Sequence, residues 1–172
     1  MIRKTLDCLY SFCGVLACIS LFATAAIILA QIIGRMLGIL IPSSDEFAGF
    51  AMGAATFLGL AYTLRADGHI RVNLFTQKLS PSVRRPVEIC VLIIGVAVMS
   101  YFTWYNASLT YSSYEFNDVS AGLIPVALWI PQSVMTFGTL LMTVALLDEL
   151  ILTIRGRPTT YSQVDNNILQ AE

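Results

Sequence analysis

Long apolar runs, separated by short polar stretches, set the plan of this chain. Charge is absent from Cys8 to Gly34, from Phe47 to Leu64, from Ile89 to Tyr114 and from Val119 to Leu147. Each run reaches the ~18–20 residues that a helix needs to cross about 30 Å of hydrocarbon. Lipid offers a backbone no hydrogen-bond partners, so a run of this length must be helical unless it closes into a barrel. The alternation and ~10-residue segments of a membrane barrel are missing. The pattern predicts an all-α integral membrane protein with four transmembrane helices, at about residues 9–34, 47–64, 88–113 and 126–152. They form a single four-helix membrane domain over 1–154, and the polar stretch 155–172 reads as a flexible cytoplasmic tail.

Polar positions inside the runs refine this. Span two is rich in small residues, and Gly49-x-x-x-Gly53 has the spacing that lets helices approach closely. It serves either packing within the chain or docking of another subunit. Span three carries Thr103, Asn106, Thr110 and Ser113, and span four Gln132, Thr136, Thr139 and Thr143, each set on one helix face. These two seams are expected to bond helix to helix rather than to line a polar path. Pro125 is expected at the first helical position of span four, with Pro131 kinking the turns that follow and Trp129 as an interfacial anchor. Between spans two and three, Ile70, Val72, Leu74, Phe75 and Leu79 recur at helical spacing among polar residues. They predict an interfacial amphipathic helix in the inner loop, which Pro81 and Pro86 end as they start span three. Gly38-Ile39-Leu40-Ile41-Pro42 and Gly122-Leu123-Ile124-Pro125 echo one another, on too few residues to establish a duplication.

Composition excludes an ordinary soluble domain: 12% of residues are charged, against roughly 25% in a typical one. Where the charges sit says more. Of ten Lys and Arg, nine are Arg3, Lys4, Arg65, Arg71, Lys78, Arg84, Arg85, Arg155 and Arg157. With four crossings these share one side, and Arg35 stands alone on the other beside Asp45, Glu46, Glu115 and Asp118. Positive residues stay inside, so both termini and the 65–88 loop are predicted to be cytoplasmic. The first run outlasts the 7–15-residue apolar core of a signal peptide, so it reads as an uncleaved anchor.

Candidate chemistry is thin. Cys8, Cys13 and Cys18 are scattered around one helix, Cys90 is distant, and one histidine completes no zinc set. No nucleophile has a histidine or carboxylate partner at membrane depth, so neither an enzyme nor a cofactor is expected. Membrane lipid is the expected surrounding, with no nucleic-acid partner.

The residues around span two carry a resemblance. Gln31-x-x-x-Arg35 closes span one, Asp45-Glu46 opens span two, and Phe57-Leu58-Gly59 lies within it. Arg65-x-x-Gly68-His69-Ile70-x-Val72 follows, then Pro125, Leu128-Trp129-Ile130-Pro131 and Gly138. In this order and spacing the chain resembles the small membrane subunit (DctQ-like) of tripartite ATP-independent periplasmic (TRAP) transporters. Asn73 stands where that family more often has an acidic residue.

The resemblance implies a non-catalytic scaffold subunit of a symporter. A periplasmic substrate-binding protein would deliver an organic acid to a large multi-span membrane subunit, and an ion gradient, sodium in the family, would drive uptake. It points to Gln31, Arg35, Glu46, Gly49, Gly53, Gly59, Arg65, His69, Trp129 and Pro131 as subunit-interface or structural residues. Arg35 and Glu46 could pair across the turn that joins the first two spans, and His69 could fix the interfacial helix.

Two other classes compete. A membrane anchor of a quinone-linked redox complex could use Tyr101, Trp104 and Tyr105 to line a pocket, but carries no haem or iron–sulfur ligand set. An independent exporter would need an acidic residue inside the bilayer, and the four spans are expected to offer none.

Overall fold

A computed structural model describes residues 2–65 and 81–155. Among these, the chain forms four α-helices: α1 (Ile2–Met36), α2 (Ser44–Arg65), α3 (Pro81–Glu115) and α4 (Trp129–Ile154). All four are long and apolar enough to cross a membrane. The interfacial helix, His69 and the tail fall outside the described residues.

The helices overrun the predicted spans where Arg3, Lys4, Arg84 and Arg85 extend them, because charge ends a hydrocarbon crossing without ending a helix. At ~1.5 Å per residue, α1 and α3 are each about 50 Å long. Their far ends are finished alike. After α1, Gly38 adopts φ +74°, while Ile39 N–H donates to Gly34 O at 2.8 Å and Gly38 N–H to Arg35 O at 3.2 Å. After α3, Asn117 adopts φ 52°, with Asp118 N–H on Ser113 O at 3.0 Å and Asn117 N–H on Tyr114 O at 3.4 Å. Both are left-handed caps that satisfy the last carbonyls. Gly38 thus has its counterpart in Asn117 rather than in Gly122, so the sequence echo marks no structural repeat.

Expectations at both ends of α4 are corrected. The helix starts at Trp129, not near residue 126. Pro125 lies instead in a loop closed by Ser120 N–H on Val126 O at 2.9 Å and Leu128 N–H on Asp118 O at 3.0 Å. Pro131 is then the third residue of α4, where a missing N–H leaves no intrahelical bond unmade, so it gives no kink. At the other end α4 runs on to Ile154 and includes Asp148 and Glu149, the latter buried. An acidic residue therefore does lie inside a span, ~7 Å from its end rather than at mid-depth.

Packing is sequential: α1 lies on α2, α2 on α4, and α4 on α3. The order α1–α2–α4–α3 makes a row in which α2 and α4 are central. In the most apolar stretch of each helix, 56% of α4 is buried but none of α3, so α3 is held along one side only. The core joins Cys13 of α1, Leu58 and Ala61 of α2, and Leu141, Met142 and Ala145 of α4. Cys8, Cys18 and Cys90 are exposed.

Both polar seams bond helix to helix as expected. Thr103 Oγ1 lies 3.1 Å from Thr143 Oγ1, and Thr110 Oγ1 lies 2.9 Å from Thr136 Oγ1. Such bonds average ~0.6 kcal/mol within membranes. Asn106 and Thr139 instead bond carbonyls of their own helices.

At the Arg85 end, that guanidinium caps α4. Its Nη2 donates to Ile154 O at 3.0 Å and Thr153 O at 3.4 Å, a cation placed on a helix C-terminus.

Candidate functional site

Asp45 and Glu46 occupy the first turn of α2, where acidic side chains complement the helix dipole. Successive helix residues point ~100° apart, and these two reach different neighbours. Asp45 Oδ1 accepts a hydrogen bond from Gln31 Nε2 of α1 at 2.8 Å. Glu46 Oε2 accepts one from Ser120 Oγ at 2.9 Å, in the loop between α3 and α4. Ser120 is buried, and its Oγ also accepts the Val126 N–H at 3.2 Å. A second tie runs beside it: Ile124 N–H donates to Ser43 Oγ at 2.8 Å.

The α1–α2 turn and the α3–α4 loop are thus bonded into one surface, with α2 at its centre. Gly122 fits between the two ties. A Cβ there would collide with the Glu46 carboxylate and stand 2.6 Å from Ser43 Oγ, so a larger residue would have to displace the two side chains that make the ties.

The expected Arg35–Glu46 pair does not form among the described residues, because Glu46 faces the loop and Gln31–Asp45 makes the link between α1 and α2. Arg35, exposed in the last turn of α1, lines an open cleft of about 470 Å³ with Gln31, Ile32, Met36 and Asp45.

The glycines divide as well. Gly59 faces Ala17 Cβ of α1 at 3.7 Å, Gly53 faces Met135 Sδ of α4 at 3.9 Å, and Gly49 faces open space. Gly49-x-x-x-Gly53 is therefore not one contact face within the chain. The close approach lies elsewhere. A Cβ at Gly138 would strike the Phe57 carbonyl group, with the carbonyl carbon at 2.6 Å, so α4 presses directly on the backbone of α2. Trp129 opens α4 with its ring edge-on to Tyr114, centroids 5.8 Å apart. Pro131 follows two residues later, and Arg65 ends α2.

Sequence reasoning missed Ser43, Ser120 and Gly122. Serines in loops carry no distinguishing pattern, and the signal available for Gly122 was its place in a short loop beside a proline. Tyr101, Trp104 and Tyr105, considered for a pocket between helices, project instead from the outer side of α3.

No curated protein matches the chain. A family does: residues 24–156 match DctQ, described as tripartite ATP-independent periplasmic transporters, DctQ component. The match begins within α1 and runs past the end of α4, taking in the Gln31–Asp45 link, the Glu46–Ser120 tie and the Phe57–Gly138 crossing. The chain, a multi-pass helical membrane protein by its four apolar helices, belongs to the DctQ component family of tripartite ATP-independent periplasmic transporters.

Proposed function

We propose that this chain is the small, non-catalytic scaffold subunit of a TRAP-type symporter in a bacterial inner membrane. It braces a large multi-span membrane subunit that performs the transport movement. A periplasmic binding protein delivers an organic acid to that larger subunit, and a sodium gradient drives uptake. Both termini and the 65–88 loop lie in the cytoplasm, following the nine-to-one distribution of Lys and Arg. The surface built by Ser43, Glu46, Ser120 and Ile124 then faces the periplasm, where the loaded binding protein arrives.

The observation that carries this reading is the family match over residues 24–156. The internal chemistry is in keeping with it: hydroxyl pairs spend the α3–α4 seam on holding helices together. Tagged chain, extracted in mild detergent from its native membrane, should bring down a much larger polytopic protein in near-equal amount. Deleting the chain should abolish sodium-dependent uptake of the acid. Recovery of the chain alone from several detergents, with uptake intact in the deletion strain, would refute the assignment.

A further inference from the structure

The ends of α3 fix its depth. Arg85 caps α4 at one end, and Glu115 with the Tyr114–Trp129 ring pair marks the other. With the hydrocarbon centred on the midpoint of Arg85–Glu115, Ser100, the ~20 residues that fill it include Tyr101, Trp104 and Tyr105. Within that stretch, α3 turns Gly95, Thr103 and Thr110 toward α4. The opposite side carries Ile94, Val98, Tyr101, Trp104, Tyr105 and Tyr111 at helical spacing, each 56–71% exposed.

Three of these bring polar hydrogens to mid-depth. The Tyr101 and Tyr105 rings stand 4.5 Å apart. Exposed on the outer side of α3, their hydroxyls and the Trp104 indole N–H meet no acceptor of another helix among the described residues. Acyl chains supply none, and Tyr and Trp in bilayers otherwise collect at the interfaces.

Reaching water is not a remedy. Helical side chains lean toward their own N-terminus, which for residues on the Glu115 side of Ser100 means toward the bilayer centre. The outer side of α1 is an internal contrast. Phe12, Val15, Ile19 and Phe22 are 58–77% exposed and carry no polar side-chain atom, as a lipid-facing stripe should.

We propose that the Tyr101–Trp104–Tyr105 side of α3 docks, within the hydrocarbon, on a transmembrane helix of the large subunit that offers hydrogen-bond acceptors at mid-depth. The α1 side faces lipid. This placement rests on the subunit reading above. A second copy of the chain, whose phenolic oxygens can also accept, is the rival occupant that the test separates.

Site-specific photocrosslinking tests it. A benzophenone amino acid replaces Trp104, or Tyr101 as a second site, and Phe22 as the contrast, in cells making the complete transporter. Position 104 should shift this chain by the mass of the large polytopic protein, and position 22 should give lipid adducts only. If 104 instead joins a second copy, or yields only lipid adducts while the large protein still co-purifies, the placement fails and the subunit reading stands. If no large protein accompanies even the unmodified chain, both fail.

Discussion

Glu46 and Ser120 show how much one hydrogen bond can organise. The Ser120 hydroxyl donates to Glu46 and accepts from Val126 N–H, so it joins the first turn of α2 to both arms of the α3–α4 loop. Glu46→Ala removes the acceptor and strands a hydroxyl at a buried position, a loss of about 1–3 kcal/mol. Glu46→Gln keeps an acceptor oxygen and should retain most of the stability. The expected result is a lowered melting temperature in detergent and faster amide exchange at Val126 for Glu46→Ala alone, with Arg84→Ala as the unaffected control. Wild-type exchange in Glu46→Ala would show that the tie does not hold the loop. The importance of Asp45-Glu46 was legible in the sequence; the partners were not. Opposite charge made Arg35 the natural expectation, whereas a serine hydroxyl 74 positions away in the chain leaves no signature.

At the scale of elements, the contacts that matter are those where backbone meets backbone. Gly138 touches the carbonyl of Phe57, and a methyl group there cannot be relieved by changing a rotamer. Gly138→Ala should force α2 and α4 apart, at the ~1–3 kcal/mol typical of overpacking or more. Gly49→Ala enters open space and should be neutral or gain the ~0.5–1 kcal/mol by which alanine favours a helix interior. Heating both variants in detergent and measuring the monodisperse fraction compares them; equal survival would remove the crossing from the account. The four spans were legible because only helices of that length suit lipid. Their order in the row was not. Beyond the hydroxyl seams that join α3 to α4, the helices are apolar nearly all round, so no stripe says which neighbour α1 or α2 meets, and the familiar glycine spacing drew attention to Gly49 when the close approach was at Gly138. The late start of α4 was hidden too, since the apolar run continues unbroken through the loop that Asn117 and Ser120 shape.

The whole molecule has one connected surface at the ends of α1 and α3, and this dictates a topological result. The α1–α2 turn and the α3–α4 loop are bonded through Ser43–Ile124 and Glu46–Ser120, so they must share one side of the membrane, and the end of α4 at Arg155 must lie on the other. Leu40 in the first segment is 79% exposed and Leu123 in the second is 74% exposed, so cysteines at either site are open to reagents without disturbing the core. In a background with Cys8, Cys13, Cys18 and Cys90 replaced by alanine, Leu40→Cys and Leu123→Cys should both react with an impermeant maleimide in intact spheroplasts. Arg155→Cys should react only after permeabilisation. Labelling of Leu40→Cys and Leu123→Cys from opposite sides would break the four-crossing row itself. Labelling of both only after permeabilisation, with Arg155→Cys open from outside, would keep the row and reverse its orientation. In that case the cluster of nine Lys and Arg would face outward, against the bias that insertion imposes on short basic loops, and the Glu46–Ser120 surface could not receive a periplasmic partner.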